Sequence, residues 1–452
     1  MTRALRSSVF RADLRRVLAL GLPLIGSHVA QYALTLTDAV MLGRYDVTAL
    51  AGETVGGALF FVLFIMGSGI AWAVMPMVAR ADGAGDPTQM RRATRMGMWL
   101  SALFTLFCVP IFVFATPLMN AIGQEPDVAA LAGAYLGVLG AGLLPALWVM
   151  VLKSALAALE RTRVVFWVTL AALPVNVLLN WLFIFGPGPL PEMGIRGAAL
   201  GSLLVHLASF AVLVVYVRAT LPERAVFARF WRFDGEAFAA VLRLGWPIGL
   251  TNLAEVGLFS ASSVMMGWVG TIPLAAHGIA LQITSTAFMV HVGLSNVATI
   301  RAGNALGRGD AAGLRRGAVV VIGVSGAAAL ATITVFLTLP ETLISLFLDP
   351  DEPARAEVLA IGRVLLAAAA LFQLVDAAQV LALGLLRGVQ DTRVPMVIAA
   401  IAYWGVGAPL AWALAFPLGV GGVGIWLGLA GGLGVAGVFM MLRFWRGRAA
   451  TR

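Results

Sequence analysis

Three carboxylic acids lie inside apolar stretches that are long enough to cross a lipid bilayer: Asp38, Glu255 and Asp376. No Lys or Arg lies within two helical turns of Glu255 or Asp376 in the sequence. An ionised side chain at membrane depth costs roughly 2.5 to 3.5 kcal/mol on insertion scales, so such residues usually have a functional task. We expect that task to be the binding of a cation.

Amide side chains accompany both acids of the C-terminal half. Gln373 and Gln379 lie about one turn before and after Asp376. Asn252 lies about one turn before Glu255. Both acids fall near the middle of the membrane when the helices are measured from the nearest Arg at their ends. Such oxygen ligands suit Na⁺ or a displaceable proton. Alternatively, each acid is neutral and hydrogen-bonded between helices.

A second set of polar side chains lies in the N-terminal half. Asp38 shares one helical face with Gln31 and Thr35. Asn176 and Asn180 form an i, i+4 amide pair in the fifth apolar stretch. These residues predict a second oxygen-lined site for Na⁺ or a proton. The alternative for the two asparagines is ordinary hydrogen bonding between helices.

The elements that position these residues are membrane helices. Hydrophobic residues make up 60% of the 452 residues and charged residues only 12%, a composition that one soluble domain cannot bury. Apolar runs of about 20 residues or more, the length that spans a bilayer, recur twelve times. We predict spans at 17–42, 53–79, 96–118, 129–152, 164–186, 197–217, 238–266, 272–300, 317–339, 357–386, 394–416 and 421–442.

The distribution of charge predicts the orientation. The two tails and alternate loops hold 27 of the 31 basic residues, with Lys153 counted in the loop after the fourth span, and short basic segments stay cytoplasmic. Both termini should therefore be cytoplasmic. The net charge of +9 is explained by this insertion signal, so nucleic-acid binding is not expected. The predicted segments are a tail at 1–16, an N-lobe at 17–218, a linker at 219–237, a C-lobe at 238–443 and a tail at 444–452.

The sequence contains an internal repeat. At an offset of 224 residues, Leu20, Gly21 and Pro23 align with an identical set that begins at Leu244, and a second block aligns at an offset of 230. Six helices per repeat give both halves the same orientation, so a pseudo-two-fold axis should run along the membrane normal. Two such lobes favour a transporter with alternating access over a channel.

Four short motifs and the repeat carry a family resemblance. They are the LGLP and LGWP pair at 20–23 and 244–247, TDAVMLGR at 37–44, VNVLLNW at 175–181 and LRGVQDT at 386–392. Together with the twelve spans, they resemble the MATE family of multidrug and toxin extrusion proteins, and within it the NorM-like branch. The resemblance covers nearly the whole chain.

The resemblance implies roles for particular residues. It implies that Asp38, Glu255 and Asp376 couple transport to an ion or a proton. It also implies that Asn176 and Asn180 complete the site of Asp38. One departure is Phe372, which stands where some relatives place an aromatic hydroxyl one turn before the tenth-span acid. Family members export cationic, lipophilic drugs in exchange for Na⁺ or H⁺.

The sequence therefore predicts a multidrug antiporter of the bacterial inner membrane, driven by Na⁺ or H⁺ with a slight preference for Na⁺. We expect a monomer without an organic cofactor that handles amphipathic organic cations. A lipid-linked oligosaccharide flippase is the alternative of related architecture, but it should have Arg or Lys in its cavity, and the predicted spans show none at mid-depth. A passive ion channel is the alternative from another class. No hydrolase motif is present, and an enzyme is not expected.

Overall fold

A computed structural model describes residues 3–188 and 191–447, and every regular element within these ranges is helical. Twelve helices are long and apolar enough to cross a membrane, which confirms the predicted all-α architecture. We number them in chain order: α1 Arg3–Tyr45, α2 Val47–Gly83, α3 Pro87–Val113, α4 Pro126–Ala158, α5 Thr162–Phe185, α6 Ile195–Thr220, α7 Gly235–Val269, α8 Thr271–Arg308, α9 Ala311–Thr338, α10 Arg355–Gly388, α11 Arg393–Ala415 and α12 Gly422–Arg446. Shorter helical segments are Ala115–Ala121, Pro222–Arg224 and Pro340–Ser345.

Several helices extend beyond the apolar stretches that predicted them. Helix α2 begins at Val47 because the Asp46 side chain accepts a hydrogen bond from the backbone N–H of Ala49 at 2.7 Å, so Glu53 lies inside the helix. Helix α4 continues to Ala158 and therefore includes Lys153, which the sequence placed in a loop. Hydropathy marks the apolar part of a helix, whereas capping and packing determine where the helix ends.

The helices group into two compact units. One unit holds the described residues up to Ile25 together with those from Leu250 onward, and the other runs from Gly26 to Gly249. The boundaries thus fall inside α1 and α7, about two residues after Pro23 and Pro247. The predicted lobes and linker remain a prediction, and residues 1–2 and 448–452 of the predicted tails lie outside the described residues.

Ion pairs connect two segments to other helices of the same unit. The segments are the N-terminal part of α1 and the residue just before α7. In the Gly26–Gly249 unit, Arg92 on α3 forms two hydrogen bonds to Asp234, from Nε at 2.5 Å and from Nη2 at 3.0 Å. The guanidinium lowers the pKa of the Asp234 carboxyl group to about 2. In the other unit, Asp13 on α1 pairs with Arg301 on α8 and with Arg316 on α9. Arg92 and Arg316 are equivalent in the repeat, so each unit uses the same basic position.

A close backbone contact is also repeated. A Cβ atom on Gly69 of α2 would collide with the backbone of Gly249 on α7. At the equivalent position of the other unit, a Cβ on Gly293 of α8 would lie 2.9 Å from the backbone N of Ile25 on α1. Each contact falls beside an in-helix proline, where a kink and a glycine allow two helices to approach closely.

Candidate functional site

The first candidate site surrounds Asp38 in the Gly26–Gly249 unit. The Oδ1 atom of Asp38 accepts hydrogen bonds from Nδ2 of Asn176 at 2.9 Å and from Nδ2 of Asn180 at 2.6 Å. Its Oδ2 atom accepts a hydrogen bond from Oγ of Ser202 on α6 at 3.0 Å. The structure therefore brings together one carboxyl group and three neutral donors from two neighbouring helices. Donors of this type stabilise an ionised carboxylate.

Local sequence explains this geometry. Asn176 and Asn180 are one helical turn apart on α5, so both amides project from the same face, and both are almost fully buried. Gly201 precedes Ser202, and a Cβ atom at Gly201 would lie 2.6 Å from Oδ1 of Asn180. Gly201 thus lets α6 approach α5 closely enough for Ser202 to reach Asp38.

The sequence prediction missed three members of this environment. Besides Ser202, Glu53 on α2 lies within electrostatic range of Asp38, and Tyr135 on α4 lies within range of both acids. Glu53 was missed because it stood at the predicted edge of its span. Tyr135 was the easiest to overlook, since a buried aromatic residue in an apolar helix normally has a packing role.

The structure does not bring every predicted residue to Asp38. Gln31 and Thr35 lie on α1, one to two turns before Asp38, and both side chains are exposed. The hydrogen bonds to Asp38 come from α5 and α6 and not from these two residues. Their predicted support of the ion site remains a prediction.

The Asp38 environment offers several oxygen ligands. The carboxyl groups of Asp38 and Glu53 supply negative charge, and Oδ1 of Asn180 is buried without a hydrogen-bond partner among the described residues. No cluster of three or more His, Cys, Asp or Glu side chains occurs in the described chain, so a bound Na⁺ would need amide and hydroxyl oxygens as well. An asparagine that now donates through Nδ2 would have to rotate by half a turn to present its oxygen.

The second candidate site lies in the other unit and is built mainly on α10. Gln373, Asp376 and Gln379 project from one face of this helix, and each side chain is at most 1% exposed. Both polar atoms of the Gln373 amide, Oδ1 of Asp376 and Oε1 of Gln379 have no hydrogen-bond partner within the described ranges. Buried polar atoms are normally paired, so this row of unpaired oxygens suggests a ligand site.

A tyrosine of α11 completes this row. Nε2 of Gln379 donates a hydrogen bond to Oη of Tyr403 at 2.6 Å. Tyr403 lies in a widened π-helical turn, Ile401–Gly407, which alters the direction of its side chain within α11. The hydroxyl lies within electrostatic range of both Glu255 and Asp376. Phe372 instead packs edge-on against Phe259 and Trp426, with ring centroids 5.8 and 5.5 Å apart. A hydroxyl group is thus available from a different helix.

An arginine also belongs to this environment, which the sequence did not indicate. Helix α10 continues to Gly388, so Arg387 is not a loop residue but lies inside the unit and is 8% exposed. Its Nη2 atom donates a hydrogen bond to Oδ1 of Asn252 at 3.0 Å, and the guanidinium is within electrostatic range of Glu255. Arg387 and Lys153 are thus helical and not loop residues, but both lie near helix ends, so the expectation of no basic side chain at mid-depth is unaffected. Arg387 is within electrostatic range of Glu255, and Asp376 is within range of Glu255.

The two halves differ at the position of Asp38. The repeat aligns Asp38 with Ser262 and Glu53 with His277. Nε2 of His277 lies 3.5 Å from Oγ of Ser262, and Nε1 of Trp426 donates to Nδ1 of His277 at 3.1 Å. An acid pair in one unit is therefore replaced by a neutral Ser and His pair in the other. The two units therefore present different chemistry at this repeat position.

Comparison with known proteins identifies the family. The sequence model of the MatE family matches residues 23–182 and 247–413, and the two matches begin 224 residues apart, which is the offset of the internal repeat. A "Probable multidrug resistance protein NorM" from Agrobacterium fabrum is 46% identical over 95% of this chain and 93% of its own length. A protein of the same name from Rhizobium meliloti is 46% identical over 96% of this chain and 93% of its own length.

Solved structures share the fold. The eukaryotic MATE transporter AtDTX14 superposes with a TM-score of 0.84 over 98% of this chain and 97% of its own, at 20% identity. An outward-facing multidrug resistance MATE transporter of the MOP superfamily also gives a TM-score of 0.84, over 97% of this chain and 96% of its own, at 18% identity. The chain therefore belongs to the MatE family and lies within its NorM-like branch.

Proposed function

We propose that this protein is a secondary active antiporter that exports lipophilic organic cations in exchange for Na⁺ or H⁺. Its place is the bacterial inner membrane, with both termini in the cytoplasm, and it works as a monomer. The observation that carries the proposal is the pair of separate carboxyl-containing sites inside membrane-spanning helices, one around Asp38 and one around Asp376. The names of the NorM relatives support multidrug efflux.

Exchange at Asp38 follows from competition for one carboxyl group. In the ionised form, the three hydrogen bonds from Asn176, Asn180 and Ser202 offset part of the cost of burial. Protonation or Na⁺ binding neutralises the remaining charge, and an organic cation nearby does the same. Two cations that each neutralise the same group bind in alternation, which couples their movement in opposite directions.

At the second site, Arg387 sets how much charge is available for exchange. The guanidinium lies within electrostatic range of Glu255, which in turn lies within range of Asp376. With both acids ionised, it offsets one of the two negative charges. One coupling cation is then enough to neutralise the group, and the Gln373 amide and the Tyr403 hydroxyl provide oxygen ligands for it. Na⁺ is our preferred coupling ion because such neutral oxygens are ligands that a proton does not need.

Flux through purified protein in liposomes tests the proposal. A sodium step at constant pH and a pH step without sodium should be imposed in turn, while the efflux of ethidium is followed by fluorescence. Ethidium transport driven by the sodium step supports Na⁺ coupling, and transport driven only by the pH step supports H⁺ coupling. Absence of transport under both gradients would refute the antiporter.

The same preparation separates the alternatives. A passive channel would give ionic current without gradient-driven ethidium movement. A lipid-linked oligosaccharide flippase would move a fluorescent pyrophosphate lipid between leaflets and leave ethidium in place. This assay tests the flippase directly, since Lys153 and Arg387 lie inside helices, although near their ends and not at mid-depth.

A further inference from the structure

Lys153 is the only lysine in the sequence, in which the other 30 basic residues are arginines. It lies on α4, about one and a half turns before the helix ends at Ala158. The sequence therefore uses a compact ammonium group at one position inside the helices and guanidinium groups elsewhere. An ammonium is a point charge with three rotatable donors, so it adapts to one small anionic group.

Neutral polar side chains surround this ammonium. Nζ of Lys153 donates a hydrogen bond to Oγ1 of Thr169 at 2.7 Å, and Oγ1 of Thr169 lies 3.0 Å from Oγ of Ser27. His28 and His206 lie within electrostatic range of the ammonium. Nδ1 of His206 is buried and has no hydrogen-bond partner in the described part of the chain. We call these five residues the Lys153 cluster, and all of them belong to the Gly26–Gly249 unit.

The ammonium of Lys153 has no counter-ion among the described residues. Over residues 3–188 and 191–447, Lys153 forms no ion pair, and its one hydrogen bond goes to a neutral hydroxyl group. A cation held away from bulk water is costly unless an anion compensates it. Lys153, His28 and His206 are each partly exposed. An anionic group of a bound molecule would supply the missing charge.

The Asp38 carboxyl group, which has the opposite charge, lies further along α1 and α5, the helices that contain Ser27 and Thr169. From Ser27 to Asp38 is eleven residues on α1, and from Thr169 to Asn180 is eleven residues on α5. Since Ser27 contacts Thr169 and Asp38 contacts Asn180, the two helices run parallel and in register. At 1.5 Å per residue, the positive and negative groups are about 16 Å apart along the helices. The unit thus presents both charges to an elongated molecule.

We propose that the Lys153 cluster binds the carboxylate of zwitterionic organic substrates, whose cationic end lies toward Asp38. The ammonium of Lys153 donates to the carboxylate, and His206 supplies a further hydrogen bond through its unpaired ring nitrogen when that nitrogen carries the proton. That these molecules are exported rests on the proposed function. Within it, the cluster distinguishes zwitterions from pure cations, because a pure cation gains nothing from Lys153.

A matched pair of dyes tests the assignment. Rhodamine B has a free carboxylate, and its ethyl ester is a permanent cation with the same ring system. Binding of each dye to purified full-length protein is measured by fluorescence polarisation. Lys153→Gln should weaken rhodamine B binding by about tenfold, the loss expected for one hydrogen bond to a charged group, and leave ester binding unchanged. Arg163→Gln removes an exposed positive charge at the start of α5 and should alter neither.

The outcomes distinguish this proposal from the function on which it rests. Equal weakening of both dyes by Lys153→Gln, or of neither, would overturn the carboxylate site. The ester reports on the function separately, since gradient-driven ester efflux by the wild type requires no anion site. Failure of that efflux would overturn the antiporter, whatever Lys153 does.

A second measurement uses the wild-type protein and does not depend on a variant that folds. Because Lys153 is the only lysine, an amine-reactive reagent modifies a single side chain, and mass spectrometry of its peptide follows the rate. Rhodamine B at saturation should slow this modification by about tenfold, and the ester should not. Equal protection by both dyes, or protection by neither, would refute a carboxylate contact at Lys153.

Discussion

Replacing Asp38 with Asn separates the charge of this residue from its structural role. The carboxyl group accepts three hydrogen bonds, from Asn176, Asn180 and Ser202. An asparagine has the same shape, accepts at Oδ1 and can donate from Nδ2 to the Ser202 hydroxyl. We therefore expect Asp38→Asn to fold, with a loss of stability of about 1 to 2 kcal/mol from the weaker hydrogen bonds.

The effect on cation binding should be much larger. Two unit charges 4 Å apart interact by about 4 kcal/mol at an effective dielectric constant of about 20. A neutral amide oxygen recovers part of this energy as a ligand, so the affinity of the site for Na⁺ or H⁺ should fall by at least about a hundredfold. Ion-coupled ethidium efflux should then fall to the background of empty liposomes.

The assay combines thermal unfolding with gradient-driven efflux in liposomes for the same protein preparation. Ser202→Ala is the matched control, since it removes one hydrogen bond to Asp38 and keeps the charge. It should lose about 1.5 kcal/mol or more of stability and keep ion-coupled efflux. Efflux by Asp38→Asn within about twofold of the wild type, at normal protein amount, would refute the role of this charge in coupling.

Further predictions concern the second site and the ion pairs. Glu255→Gln and Asp376→Asn should each abolish ion-coupled ethidium efflux at normal expression, and normal drug resistance of cells with both variants would exclude this site from the mechanism. Arg387→Gln removes the compensating charge, so the half-saturating concentration of the coupling ion should fall about tenfold in the efflux assay, and an unchanged value would contradict the charge balance. The pKa of Asp234, lowered to about 2 by Arg92 from an ordinary value of 3.8, adds stability above about pH 4 that is lost as the pH falls toward 2. Asp234→Asn should therefore reduce stability by about 1 kcal/mol at neutral pH and by less near pH 2 in unfolding experiments, and equal loss at both would argue against the ion pair.

The sequence by itself determined the membrane architecture and the family. Long apolar runs admit few structures other than spanning helices, because a backbone in lipid must satisfy its own hydrogen bonds. The repeat offset of 224 reappears in the two matches of the family model. The i, i+4 spacing of Asn176 and Asn180 also fixed their common face, since this relation is set within one helix.

Only the tertiary structure decided which helices contribute to each site. Ser202, Glu53 and Tyr403 join the acids because of how neighbouring helices approach and rotate, and hydropathy does not record either property. The interior places of Arg387 and Lys153 follow from helices that continue past their apolar stretches. A basic residue near a span end looks the same in sequence whether it faces water or turns inward to a polar partner, and that choice depends on packing between helices.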